Sequence, residues 1–411
     1  MTLTAIPFFP QTNPVTPAVN QLGLDLLRAP TSTGARGNLL LSPYSIAAAL
    51  AMAYTGADGQ TREEMQRVLH LPVDDSAVLG GFFTLAKELG DMQAFSRRRA
   101  EAARKYGGAE EPIEINLASR LFAQSGFPFR PAFAAGLRER FCAPLEELDF
   151  AHAAEPARVL INDWVALETH GRVRELVPAD GIDATTRAVL ANTIYLRAAW
   201  ATAFEPHSTE NDVFWVDGRK QADLPTMLQQ RRYGHEQRTG YAALALSYAG
   251  GEVQFLILLP DKRDGLADLE RALTADLLAG CADLPRREVR LHLPKFKLDP
   301  PLLSLGAMLR RLGMATAFDQ PRGSANFDRM APRKPDDYLC ISDVFHRTWL
   351  SLDEKGTEAA AAAAAIMATR AAFPFQPPQP IEVRVDHPFL FAIQHVPSAT
   401  CLFLGRLTDP R

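Results

Sequence analysis

Cysteine is scarce in this 411-residue chain. Its four cysteines, Cys142, Cys281, Cys340 and Cys401, stand far apart, and no two form a C-x-x-C pair. That spacing supports neither a dense disulfide framework nor a zinc site. Long apolar runs are missing as well: no stretch reaches the roughly 18 residues that a membrane-spanning helix needs. An excess of one charge is also absent. Forty-four basic against 48 acidic residues give a formal net charge of -4, which argues against a strongly basic nucleic-acid binder. The histidines show no H-E-x-x-H spacing, and there is neither a G-x-x-x-x-G-K-[ST] phosphate loop nor a G-x-S-x-G nucleophile elbow. No carboxylate pair stands out for acid–base work. No metal or cofactor is expected from these patterns, and no motif marks a catalytic centre.

What remains is a globular composition, 47% hydrophobic and 22% charged, which excludes a disordered or collagen-like chain. Residues 1–13 read as an N-terminal extension. They lack a basic n-region, and Pro7 and Pro10 break their apolar start, so no clear signal peptide is present. The compartment is left open between cytoplasmic and extracellular. Residues 14–30 read as an amphipathic helix. Ser42 or Ser45 caps the next one, Pro43 suits its first turn, and the run from Ile46 to Ala53 is apolar on nearly every face, as a buried helix is. Gly56 and Gly59 end it, and Thr61 with Glu64 reads as a capping box for a third helix.

Helical pattern runs over residues 73–110 and carries Arg97, Arg98, Arg99, Arg104 and Lys105, read as a solvated face diluted by Glu101, Glu110 and Glu111. Strand-like alternation follows at 113–124, and helical pattern at 131–140 and 156–169. Segments 185–200, 211–218, 241–261, 287–299, 381–395 and 399–407 are strand-rich, with a helix expected at 302–314. Strands and helices mix without a βαβ rhythm, which gives an α+β fold with large sheets.

One segment breaks its local rules. Seven alanines, Ala359 to Ala365, make the strongest helix signal in the chain, yet Pro374, Pro377, Pro378 and Pro380 follow closely. One reading is an exposed helix feeding a proline-rich linker. The other is a long functional loop between strands, whose small side chains suit a segment that slides into a sheet and satisfies backbone hydrogen bonds on two sides.

Here the chain resembles the serpin family. The resemblance rests on the hinge Glu354-Lys355-Gly356-Thr357-Glu358-Ala359-Ala360, on Asp386-His387-Pro388-Phe389-Leu390-Phe391 and Phe403-Leu404-Gly405-Arg406, and on Asn162-Asp163-Trp164-Val165. Asn38 to Ser45, Asn192 to Trp200, Thr226-Met227 and Leu293-Pro294-Lys295 fall in the same order. It implies a single domain over 14–411 with three β-sheets, eight or nine helices and an exposed reactive centre loop, hinge and loop spanning 354–380. It implies a hinge of Glu354, Gly356, Thr357, Glu358, Ala359, Ala360, Ala361 and Ala362, a shutter of Ser42, Ser45, Asn192 and His346, and a breach with Trp200 and a Lys295–Glu354 pair.

The resemblance also implies a function: a suicide substrate whose cleaved loop inserts into the main sheet and carries the acyl-enzyme with it. The residue before the scissile bond lies fourteen places after Gly356, at Arg370, giving a reactive bond Arg370–Ala371. Arg370 is the only Arg or Lys between Lys355 and Arg384, and an arginine fits the acid-based pocket of a trypsin-like protease. The expected partner is such a protease, with no nucleic acid or membrane, and the native state is a monomer. A non-inhibitory binding or chaperone role, and inhibition of a subtilisin-like or cysteine protease, are the alternatives. The long proline-rich stretch after Ala371 places Met367 and Phe373 as neighbouring candidates for cleavage.

Overall fold

The structure, a computed structural model, describes residues 13–29, 37–106, 111–216, 220–335, 337–358 and 379–411. Along the chain come α1 (Thr16–Arg28), β1 (Leu39–Leu41), α2 (Pro43–Gly56), α3 (Gly59–Val68), α4 (Asp75–Lys105), β2 (Glu114–Gln124), α5 (Pro131–Phe141), β3 (Leu145–Leu148), α6 (Phe150–Glu168) and β4 (Ala188–Ala199). Next are β5 (Glu210–Val216), β6 (Lys220–Arg238), β7 (Tyr241–Ser247), β8 (Val253–Pro260), α7 (Leu266–Ala272), α8 (Ala275–Ala279), β9 (Arg286–Pro294), β10 (Phe296–Leu298), β11 (Leu303–Ser304) and α9 (Gly306–Arg311). Then follow β12 (Phe345–His346), β13 (Leu350–Asp353), β14 (Gly356–Thr357), β15 (Ile381–Arg384), β16 (Phe389–His395) and β17 (Thr400–Leu407).

The described residues form three sheets and nine α-helices. The largest sheet has nine strands in the order β1-β17-β16-β8-β7-β6-β9-β15, with β5 paired to β6. The second has six, in the order β10-β13-β14-β4-β2-β3, and β11 pairs with β12 alone.

Local chemistry explains the elements that position the site. Ser42 caps α2 by accepting a hydrogen bond from the Ser45 N–H at 3.2 Å, with Pro43 in the first turn. Twelve of the fourteen residues of α2 are buried, because the helix packs against α1, β17 and β4 at once. β8 lies between β7 and β16 and is buried at all eight positions, so its apolar run has no solvent face. Phe255 on β8 stacks on Phe391 of β16 at 5.4 Å, and Phe296 of β10 sits 5.7 Å from Phe391, joining the two large sheets. Glycine is required at 405, where a Cβ would stand 2.1 Å from the Phe391 ring.

Three expectations need correction, and one strand was not expected. Gly59 begins α3 rather than ending α2, with Asp58 at the N-cap. Thr61 and Glu64 make no capping box: the Thr61 hydroxyl accepts from the Asn326 N–H, and the Glu64 carboxylate accepts from the Ala315 and Thr316 N–H groups at 2.9 and 2.8 Å. The helix expected over 302–314 shrinks to Gly306–Arg311, since Leu303–Ser304 pairs with β12 and the Leu305 N–H is bonded to the Val344 carbonyl. The 19-residue β6 went unread, because its polar sequence lacks clean alternation.

Candidate functional site

The hinge motif closes the top of the six-stranded sheet. Gly356 and Thr357 form β14, antiparallel to β13 through Leu352 and Asp353, and to β4 through Ala198 and Ala199. Only glycine suits position 356: its φ is +151°, and a Cβ would stand 2.1 Å from the Ala198 carbonyl oxygen. Thr357 points inward. It is 1% exposed, and its Oγ1 lies 2.5 Å from the Tyr248 hydroxyl. Tyr248 stacks flat on Trp200, ring centroids 4.6 Å apart. Burial raises the Tyr248 pKa, so the hydroxyl stays protonated and free to donate.

Trp200 anchors the same segment. Its indole N–H donates to the Asp353 carbonyl at 2.9 Å, and its backbone N–H to that of Lys355 at 2.8 Å. The Phe204 N–H donates to the Glu354 carbonyl at 2.8 Å. The Glu354 carboxylate takes Lys295 Nζ at 2.9 Å and the Thr209 hydroxyl at 2.9 Å. Burial pushes the Glu354 pKa up, but these donors outweigh it and hold the carboxyl below its ordinary value. Glu358 ends the seated segment. Its N–H still reaches the Ser351 carbonyl at 3.0 Å, its φ turns to +50°, and its carboxylate meets the Arg172 guanidinium. Arg172 in turn lies 4.4 Å over the Trp349 ring.

Below β14 the sheet is open. β4 pairs with β2 from Ala188 to Arg197, but its opposite edge meets a strand only at Ala198 and Ala199 among the described residues. A cleft of about 210 Å³ separates its lower half from residues 338–346. Asn192 and His346 line this cleft from its two sides, with Ser45 beneath. The Ser45 hydroxyl donates to Asn192 Oδ1, and the Asn192 amide donates to Ser119 Oγ at 2.5 Å. The Ser42 N–H donates to His346 Nε2 at 3.0 Å, and the Ser42 hydroxyl to the Leu402 carbonyl at 2.8 Å. His346 accepts at Nε2, so that nitrogen carries no proton, and burial pushes the pKa of the ring down to about 4.

The structure thus brings Ser42, Ser45, Asn192 and His346 into one polar cluster and gathers Glu354, Gly356, Thr357, Trp200 and Lys295 at the top of the sheet. Of the expected hinge, Ala359, Ala360, Ala361 and Ala362 lie outside the described residues, as do Arg370 and Ala371. Sequence reading missed Tyr248, Ser119, Thr209 and Arg172. Nothing local marks them, since each meets the site only through the fold. Among the described residues no group of three or more His, Cys, Asp or Glu is placed to hold a metal ion, and no helix is long and apolar enough to cross a membrane. Among the described residues the arrangement offers an unpaired strand edge beside a polar cluster.

The sequence matches the serpin (serine protease inhibitor) family over residues 17–410. It is 33% identical over 402 residues to the leukocyte elastase inhibitor of Bos taurus, covering 96% of this chain and 98% of that protein. It is 33% identical over 405 residues to an uncharacterized serpin-like protein of Thermococcus kodakarensis, covering 98% and 87%. Among solved structures, a loop-inserted form of a cleaved ovalbumin mutant superposes with a TM-score of 0.79 at 25% identity, covering 96% of this chain and all of that one.

Proposed function

The chain belongs to the serpin family and has the serpin fold, and from that premise we propose that it is a suicide-substrate inhibitor of a trypsin-like serine endopeptidase, cleaved at Arg370–Ala371. It forms one domain over 14–411 and supplies the scissile bond, while the target enzyme supplies the catalysis. Relatives named as leukocyte elastase inhibitors support the coarser reading, an inhibitor whose partner is a serine protease.

One observation carries the proposal: Gly356 and Thr357 are already seated between β13 and β4, with no strand paired to that edge of β4 below them among the described residues. Extending that register sets Ala359 opposite Leu196, Ala361 opposite Ile194, Ala363 opposite Asn192 and Met367 opposite Ala188. Side chains on the face of Thr357 then point into the core, and every inward position from 359 to 365 is alanine. No large side chain has to find space until Met367, where the strand reaches the end of β4. Arg370 lies just beyond, so cleavage there frees an arm long enough to fill the slot. Each inserted residue gains backbone partners on both sides, and the free energy released holds the acyl-enzyme at the far end of the sheet.

Arg370 supplies the specificity. A guanidinium pairs in bidentate fashion with a carboxylate at the base of a deep pocket. Ser42, Ser45, Asn192 and His346 act as the shutter, releasing β4 from residues 338–346 as the arm enters. Trp200 and the Lys295–Glu354 pair fix the starting point at the breach.

The test mixes the protein with trypsin and follows the products on a denaturing gel. A covalent complex surviving denaturation, with a released peptide beginning at Ala371, is the expected result. Clipping without a complex would overturn inhibition, and a complex formed only with subtilisin or papain would overturn the trypsin-like assignment.

A further inference from the structure

A second cavity, of about 390 Å³, opens beside the loop that follows β4 and shares Trp200 and Phe204 with the anchoring of residues 353–355. Its inner wall is apolar and aromatic: Trp200, Phe204, Tyr233 and Leu246 line it and are all buried. Its rim is cationic. Arg231, Arg232 and Arg286 line it and are exposed, and Glu288 is the one acidic residue among the lining positions. None of the three arginines forms an ion pair with a carboxylate among the described residues.

Two of these arginines are held beside each other. Arg232 donates to the Arg286 carbonyl and Arg286 to the Arg232 carbonyl, both at 3.3 Å across the β6–β9 ladder. Arg286 also reaches the Ser247 hydroxyl at 3.4 Å. Each guanidinium is thereby held against the other residue's backbone, and two like charges at one mouth attract an anion. A cavity of this size with an aromatic wall and polar and cationic groups around its mouth suits a small amphipathic molecule.

We propose that this cavity binds a small organic anion with a flat apolar body. The body lies against Trp200, Phe204 and Tyr233, and the acidic group sits between the guanidiniums of Arg232 and Arg286. Both parts are needed: inorganic anions lack the body, and uncharged aromatics lack the contact that the rim rewards. This binding needs no protease and stands apart from the inhibitory reading.

The probe is 8-anilinonaphthalene-1-sulfonate, titrated into the full chain at low salt and followed by its fluorescence. Saturable binding is expected, weakened by added salt. The Arg232→Gln/Arg286→Gln variant should bind about tenfold more weakly or worse, and lose the salt dependence. Thr202→Trp, at an exposed lining position, should block the cavity while leaving the arginines and the circular dichroism melt unchanged. The uncharged N-phenyl-1-naphthylamine should bind more weakly than the sulfonate. Equal dye binding by the wild type and both variants overturns the proposal, as does the absence of saturable binding to the wild type. If the double arginine variant fails to fold, Thr202→Trp alone decides.

Discussion

Thr357→Arg puts the seating of the hinge to the test. Thr357 is 1% exposed and shares a 2.5 Å hydrogen bond with Tyr248 beneath Trp200. An arginine at that point would bury an unpaired charge, at a cost of several kcal/mol, and would lose a hydroxyl pair worth about 1 kcal/mol. The intact protein escapes most of that cost by letting two residues leave the sheet, so its folding should change little. The cleaved arm has no such escape, because every later position inserts behind residue 357. A penalty of only ~3 kcal/mol at the start of insertion shifts its competition with deacylation by roughly 100-fold. The assay is the stoichiometry of trypsin inhibition, read together with a denaturing gel. The variant should still be cut after Arg370 but should turn over as substrate, with no covalent complex. An unchanged stoichiometry would refute the insertion reasoning.

Other residues give independent checks. Burial holds His346 and His395 near a pKa of about 4, whereas an unfolded histidine titrates near 6.5, so the unfolded chain takes up protons first as pH falls. Their stabilisation is complete above pH 6.5 and declines toward pH 4, by up to about 3 kcal/mol each. The unfolding midpoint should therefore drop between pH 6.5 and 5, above the carboxylate range, and a flat midpoint there would contradict the burial argument. Gly356→Ala drives a methyl group to 2.1 Å from the Ala198 oxygen, so hydrogen exchange at Thr357 and Ala199 should accelerate; unchanged protection would show that the hinge is not held as described. Lys295→Met leaves the Glu354 carboxylate, 12% exposed, without its cation, and should cost about 1 kcal/mol of stability, read as a lower thermal midpoint. No loss at low salt would mean that the pair contributes nothing.

The seat of Gly356 and Thr357 was legible because Glu354 to Thr357 is a short local string, whereas the alanines behind it lie outside the described residues. The buried helix α2 was legible for the same reason, as an apolar run with a cap at its head. β6 was not. It bonds to β9 along its middle, to β5 at one end and to β7 at the other, so no single face is buried throughout and Pro225 and Gly234 interrupt the pattern. Thr61 and Glu64 misled because their partners, near 316 and 326, lie some 250 positions away. Distance also hid the rest of the site. Tyr248 meets Thr357 across 109 positions, and Arg172 meets Glu358 across 186. Such contacts are products of the fold and leave no local trace.

On the proposed mechanism the native chain stores free energy that is released when the loop becomes a strand. The most direct measurement is the thermal unfolding midpoint before and after a single cut in the loop at 354–380. A large rise after cleavage, with both fragments remaining associated, is the predicted result. An unchanged or lowered midpoint would contradict the claim.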